Sequence, residues 1–199
     1  MAITALILYI VWFVLAFGVR TWISWRRTGD AGWRGVSGRP FSLEWFAGVL
    51  FGVALAIGVA GPVAGLLGMP SLVDSPAVEW TGVVIAVVGV LLTLAAQMSM
   101  GDSWRIGVDE SERTELVTAG AFRLARNPIF TAMVVTAVGL ALMVPNVLAA
   151  VGVVALLVAL ELQVRGVEEP YLRTAHGASY LTYAGQVGRF LPWCGRLRG

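Results

Sequence analysis

The chain has 199 residues, 58% of them hydrophobic and 13% charged, and a mean hydropathy of +0.81. A water-soluble domain runs at about 45–50% apolar and about 25% charged, and a fold of this length cannot hide the surplus. That excludes a disordered chain, a secreted disulfide scaffold and a cytosolic globule. The one cysteine, Cys194, can form no internal disulfide, and the one histidine, His176, excludes a His-rich metal site. The net charge of +2 comes from 14 arginines against 12 acids, with no lysine, and the arginines are too dispersed for a nucleic-acid patch.

In chain order, Thr4–Trp25, Trp45–Leu67, Trp80–Met100, Pro128–Val144 and Val147–Gln163 read as transmembrane helices. A span needs about 20 apolar residues, with a range of about 17–25. Nothing basic precedes the first stretch and no small-residue cleavage site follows it, so it reads as a span rather than a signal peptide. Pro62 falls inside the second, where a membrane helix tolerates it. The last two are short, and only Pro145-Asn146 separates them, which predicts a tight helical hairpin. Gly29–Gly38 reads as a flexible loop, and no internal repeat is visible.

Arginine placement predicts the topology. Arg26, Arg27, Arg34 and Arg39 follow the first span, and Arg105, Arg113, Arg123 and Arg126 follow the third. Arg165, Arg173, Arg189, Arg196 and Arg198 follow the fifth, while segments 68–79 and 145–146 hold none. Basic loops stay in the cytoplasm, so the N-terminus is expected outside and the tail inside. Trp25, Trp45, Trp80 and Trp104 sit at span edges, where amphipathic rings prefer to lie. The expected fold is an all-α integral membrane protein of about five transmembrane helices, completed by a cytoplasmic C-terminal helical tail. It forms one domain, 1–199, in which 1–96 is a scaffold of spans and 97–199 carries most of the polar motifs.

Polar residues cluster on the cytoplasmic side of the second half, and the first four spans carry no ionisable residue at their middles. Gln97 and Ser99 lie near the inner end of the third. This argues for a site at the cytoplasmic face rather than a mid-membrane transport site.

Four groups of residues stand out. Glu161, Arg165, Glu168 and Glu169 are spaced to share one face of a helix running out of the fifth span; they form either a site or a salt-bridged, solvated helix end. Thr118–Pro128 contains Gly120, able to turn the backbone, and then Arg126 and Asn127 ahead of a helix that starts at Pro128. That helix start is an anion site by geometry, and equally a plain Asn cap beside a membrane-anchoring arginine. Met100–Val108 carries Trp104, read as an interfacial anchor, and Arg105, able to hold an anionic group. Tyr171, Tyr180, Tyr183 and Arg189 mark the tail, and the spacing of Tyr180 and Tyr183 also suits simple packing.

In this order the four groups resemble the isoprenylcysteine carboxyl methyltransferase family, and phospholipid methyltransferases share much of the C-terminal pattern. Leu116–Thr131 resembles the family's G-[PA]-[FY]-R-x-x-R-[HN]-P-x-[YF] signature. Glu161, Arg165, Glu168, Glu169, Leu172, His176-Gly177, Tyr180, Tyr183, Arg189 and Pro192 match its E-x-x-x-R-x-x-E-E-x-x-L … [FH]-G-x-x-Y-x-x-Y … R-x-x-P tail. Gly101–Arg105 is similar to its Leu-Gly-x-x-Trp element. The resemblance covers about residues 97–192.

It implies S-adenosyl-L-methionine as methyl donor, bound between the last helices and the tail, and a lipophilic small-molecule or lipid acceptor entering from the bilayer. Residues implied in cofactor binding are Gly120, Phe122, Arg126, Asn127, Pro128, Phe130, Glu161, Glu168, Glu169, His176, Tyr180 and Tyr183. Arg126 and the Gly120–Phe122 backbone would meet the donor's carboxylate, Glu168 or Glu169 its ribose diol or ammonium, and Tyr180, Tyr183 and Phe130 its adenine. Arg105, Arg165 and Arg189 are the candidates to orient an acceptor carboxylate, with Arg165 also open to a cofactor role.

Asn127 stands where many members carry His and cannot titrate, and Phe130 replaces Tyr. Both departures, with the small size, point to a prokaryotic inner-membrane member with an acceptor other than prenylcysteine. Gly48-x-x-x-Gly52 and Gly61-x-x-x-Gly65 permit helix association and so a homo-oligomer. The competing classes are an NADPH-dependent membrane sterol reductase, for which no 2′-phosphate cluster is seen, and a non-enzymatic carrier or scaffold.

Overall fold

A computed structural model describes residues 1–33, 35–36, 38–101 and 115–197. The described residues form helices and turns with no strand beyond one isolated bridge. α1 runs over Ala2–Thr28 and contains a π turn at Val14–Val19. α2 is Leu43–Leu66, α3 Pro76–Met100, α4 Pro128–Met143 and α5 Val147–Gln163. After α5 the helix continues through a second π turn, Val164–Glu168, into α6, Glu169–Gln186. A 3-10 turn, Gly120–Arg123, precedes α4.

Among the described residues, four helical segments are long and apolar enough to cross a membrane: Ala2–Thr28, Leu43–Leu66, Pro76–Met100 and Val147–Gln186; Pro128–Met143 is a shorter apolar helix. Each predicted span is therefore a helix. The first begins two residues before and ends three residues after its predicted limits, and the last keeps its predicted limits but runs on without a break into further helix.

The helices pack in pairs, α3 along α4 and α2 along α5. Apolar burial is a weak force between helices in lipid, so close backbone approach matters more. Gly139 of α4 shows it: a Cβ there would lie 2.3 Å from the Ala86 nitrogen of α3. The α4–α5 hairpin turns at Pro145-Asn146. Asn146 accepts from the Ala149 amide at 2.9 Å to cap α5, and its Nδ2 donates to the Gly61 carbonyl of α2 at 2.8 Å. Gly61 and Gly65 pack inside the chain, the first against Ala149 and the second against Val144, so they are not available as the dimerisation motif that their spacing suggests.

The second π turn alters the expected face of polar residues. An α-helix would align Glu161, Arg165 and Glu169. A π turn bonds i to i+5 and inserts an extra residue, which rotates everything after it. Glu161 and Arg165 stay on the outside, while Glu169 turns into the interior. Farther along α6, Gly177 adopts φ +50° and ψ −123°, a kink that only glycine takes without strain. Tyr180, one turn later, is fully buried.

Candidate functional site

A cavity of about 700 Å³ opens between α1, α2, α3, α4 and the α5–α6 helix. Its span-side wall is apolar: Phe13 and Phe17 of α1, Phe51 and Leu55 of α2, and Phe130 and Met133 of α4. Phe51 and Phe130 meet across it, with ring centroids 6.3 Å apart. Its other wall is polar and aromatic, built by Arg126 and Asn127 before α4 and by Glu168, Glu169, His176, Tyr180 and Tyr183 on the late helix. Gln163, Tyr171 and Leu172 join that wall, and Trp33, Gly35 and Val36 of the first loop border the space.

The polar wall is held by one carboxylate. Glu169 accepts from Arg126 Nη2 at 2.7 Å and from Arg189 Nε and Nη2 at 2.7 and 3.0 Å. The side chains of Arg126 and Glu169 are 2% and 7% exposed, so these charge-assisted bonds form away from water. The bond to Glu169 raises Arg189 further above its already high ordinary pKa, which keeps the pair ionised.

Arg126 also fixes the tail. It donates to the carbonyls of Ala184 at 3.1 Å, Val187 at 2.6 Å and Gly195 at 3.2 Å. Residues 187–197 thereby lie against the strand-like segment before α4, where Ala125 and Gly188 form a parallel bridge. The Arg126 amide donates to Gly188 at 2.8 Å, and Thr131 Oγ1 donates to Phe190 at 2.6 Å.

Among the expected cofactor residues, Phe122, Arg126, Asn127, Pro128 and Phe130 line the cavity from one side. Glu168, Glu169, His176, Tyr180 and Tyr183 line it from the other. Gly120 and Glu161 do not. Gly120 holds φ +58° with its α-carbon against Ser99, where a Cβ would come within 2.5 Å of Oγ; it seats the 3-10 turn on the end of α3, and Ala121 N donates to that Ser99 Oγ. Glu161 accepts from Arg165 on the outer surface, with side chains 44% and 61% exposed.

Arg165 consequently has no access to the cavity, a correction to its expected roles with the acceptor or the cofactor. Arg189 stands behind the wall and touches it through Glu169. Arg105 lies outside the described residues. Asn127 begins α4 but does not cap it with its side chain; its Nδ2 and backbone N–H both donate to the Arg189 carbonyl at 3.0 Å. Tyr183 donates to the Phe122 carbonyl at 2.7 Å and so ties α6 to the 3-10 turn.

In sequence the first two spans show hydrophobicity alone, and nothing singles out Phe13, Phe17, Phe51 and Leu55 as cavity wall. Apolar residues in an apolar span give no signal of which side they face. Gln97 was visible as a polar residue inside a span; the structure puts it, with Thr93, in the cavity wall. Among the described residues no cluster of His, Cys, Asp and Glu could hold a metal.

The chain is similar to known proteins. A relative from Arabidopsis thaliana, protein-S-isoprenylcysteine O-methyltransferase A, is 30% identical over 114 residues, which are 56% of this chain and 58% of that protein. A probable protein-S-isoprenylcysteine O-methyltransferase of Oryza sativa subsp. indica is 29% identical over 126 residues, 62% of this chain and 66% of the relative. A second Arabidopsis protein, protein-S-isoprenylcysteine O-methyltransferase B, is 24% identical over 145 residues, 72% of this chain and 74% of its own. The chain thus spans 58% and 66% of the length of the first two. The phospholipid methyltransferase profile matches residues 78–179, which takes in α3, α4, α5 and the polar wall up to the Gly177 kink, and the chain belongs to that family.

Proposed function

We propose that this protein is an integral-membrane methyltransferase that uses S-adenosyl-L-methionine to methylate a lipophilic small-molecule or lipid acceptor. The observation that carries this is the composition of one cavity: a wall of charged and aromatic side chains continues into a wall of phenylalanines inside the spans. A polar donor and an apolar acceptor could share such a space, and about 700 Å³ lies within the usual range of about 300–1,000 Å³ for a ligand site. The names of the relatives support methyl transfer to a lipid-modified group as the reaction class.

The residues present fit the donor. Arg126 Nε is buried with no hydrogen-bond acceptor among the described residues, and Tyr180 and Tyr183 line the same wall. That N–H suits a carboxylate, Glu168 suits an ammonium or a diol, and the two tyrosines with Phe130 suit a purine. When bound, S-adenosylmethionine supplies an activated methyl group on a sulfonium. The chain's part is to align, exclude water and hold charge: in-line displacement depends on geometry more than on a strong base. Aromatic faces near the sulfonium favour its positive charge. Glu169 and Arg189 act as positioning residues, because they set where Arg126 and the late helix stand.

The division of labour follows: one domain, 1–199, with 97–199 carrying the chemistry and 1–96 supplying bilayer scaffold and acceptor wall. The arginine distribution supports an outside N-terminus and a cavity at the cytoplasmic face. Calorimetric titration of the detergent-purified protein with S-adenosylmethionine, S-adenosylhomocysteine and NADPH tests the assignment. Saturable binding of the first two alone is expected. Binding of NADPH alone would move the protein to the reductases, and binding of none by folded protein would leave a carrier or scaffold.

A further inference from the structure

Gln97 is 4% exposed and sits in the wall of the cavity where α3 faces α1. Its Nε2 donates to the carbonyl of Ala16 at 2.8 Å. Ala16 belongs to the π turn of α1, and a carbonyl can only accept, so the orientation of the amide is fixed: nitrogen toward α1, oxygen away. Oε1 is then buried with no hydrogen-bond donor among the described residues. Thr93, four residues earlier on α3, is already engaged. Thr93 Oγ1 donates to the Gly89 carbonyl at 2.9 Å and accepts from Trp12 Nε1 at 3.4 Å. A buried acceptor left unmatched in an apolar wall is costly and calls for a reason, and a polar side chain inside a span is a candidate for function.

We propose that Gln97 Oε1 is a recognition point for the acceptor, which carries a hydroxyl or amide N–H within its lipophilic body. This rests on the cavity being the acceptor site, as argued above, and it narrows the substrate class. An unadorned hydrocarbon chain ending in the methylated group would leave the oxygen as it is. A molecule with a donor set along its apolar part would satisfy it, and would be held in register with the polar wall. The selection comes from the penalty on the wrong ligand, since a site built to hydrogen-bond a hydroxyl rejects an analogue without one.

The test uses the full chain in lipid nanodiscs with two probes, farnesol and farnesyl methyl ether, which differ by the one donor. Affinities are measured calorimetrically on the wild type and on Gln97→Met and Gln97→Leu. The expected result is about tenfold tighter binding of farnesol by the wild type, a preference that falls to about one in both variants. Comparing wild type with variant cancels the difference in bilayer partition. Equal binding of the two probes by the wild type, binding of neither, or a preference that survives the variants would each overturn the inference. If the variants fail to fold, the wild-type comparison decides once each affinity is corrected for the probe's measured partition into protein-free nanodiscs. Binding of S-adenosylmethionine is measured on the same samples: its absence would remove the methyltransferase reading, whereas its presence with equal probe affinities would remove only the role of Gln97.

Discussion

Two carboxylate–arginine groupings lie within nine residues on the helix that leaves α5, and they do different things. Glu161 and Arg165 form an i,i+4 pair on the outside, both side chains more than two-fifths exposed. Glu169 lies in the interior between Arg126 and Arg189, from sequence positions 43 and 20 residues away. The first pair joins neighbours that the helix already holds together. The second joins the segment before α4 to the late helix and the tail, which lie far from it in sequence. Burial and sequence separation, rather than residue type, decide which grouping supports the cavity.

The sharpest way to break the contrast is Glu169→Ala. It strands two largely buried guanidinium groups, and a loss of about 3–5 kcal/mol of stability is expected. Denaturation in detergent measures it, and S-adenosylmethionine affinity falls with it. Arg189→Lys keeps a positive charge but loses the two-pronged contact with Glu169. A loss of about 1.5–3 kcal/mol is expected, with Km for the donor rising more than kcat falls.

Asn127→Leu removes one side-chain donor to the Arg189 carbonyl and should cost about 1 kcal/mol. Asn127→His restores an N–H at that point, and a melting temperature close to wild type would show that donation, not the amide, is what the position needs. At the small end, Glu161→Gln or Arg165→Ala should change stability by no more than about 0.5 kcal/mol and leave donor binding unchanged. A large effect from either would erase the distinction between the two groupings.

Much of the fold is legible in the amino-acid sequence. Val147–Gln163 is a helix with the limits its hydropathy predicts, and Pro145-Asn146 makes the hairpin. These are local matters of apolar run length and turn chemistry. The spacing of Glu161, Arg165 and Glu169 misleads because it assumes one helical period, and a π turn is set by what the helix packs against. Asn127 reads as a cap from its neighbours in sequence, yet its side chain turns to Arg189, 62 residues on. Arg126 and Glu169 stand out as residues in the sequence, but their mutual pairing joins distant segments and no spacing rule reports it. The apolar wall from α1 and α2 was hidden for the opposite reason: every residue there is a plausible lipid contact.

The π turn at Val164–Glu168 carries one more implication, for how the chain tolerates length changes. A one-residue deletion within it would let the helix close into ordinary α geometry and swing everything downstream by about 100°, one residue's worth of helical rotation at 3.6 residues per turn. Every motif used to place this chain in its family would survive such a deletion in order and nearly in spacing. Glu169, Tyr180 and Tyr183 would nonetheless face the wrong way, so a chain one residue shorter in this turn could keep every tail residue and still lose the polar wall.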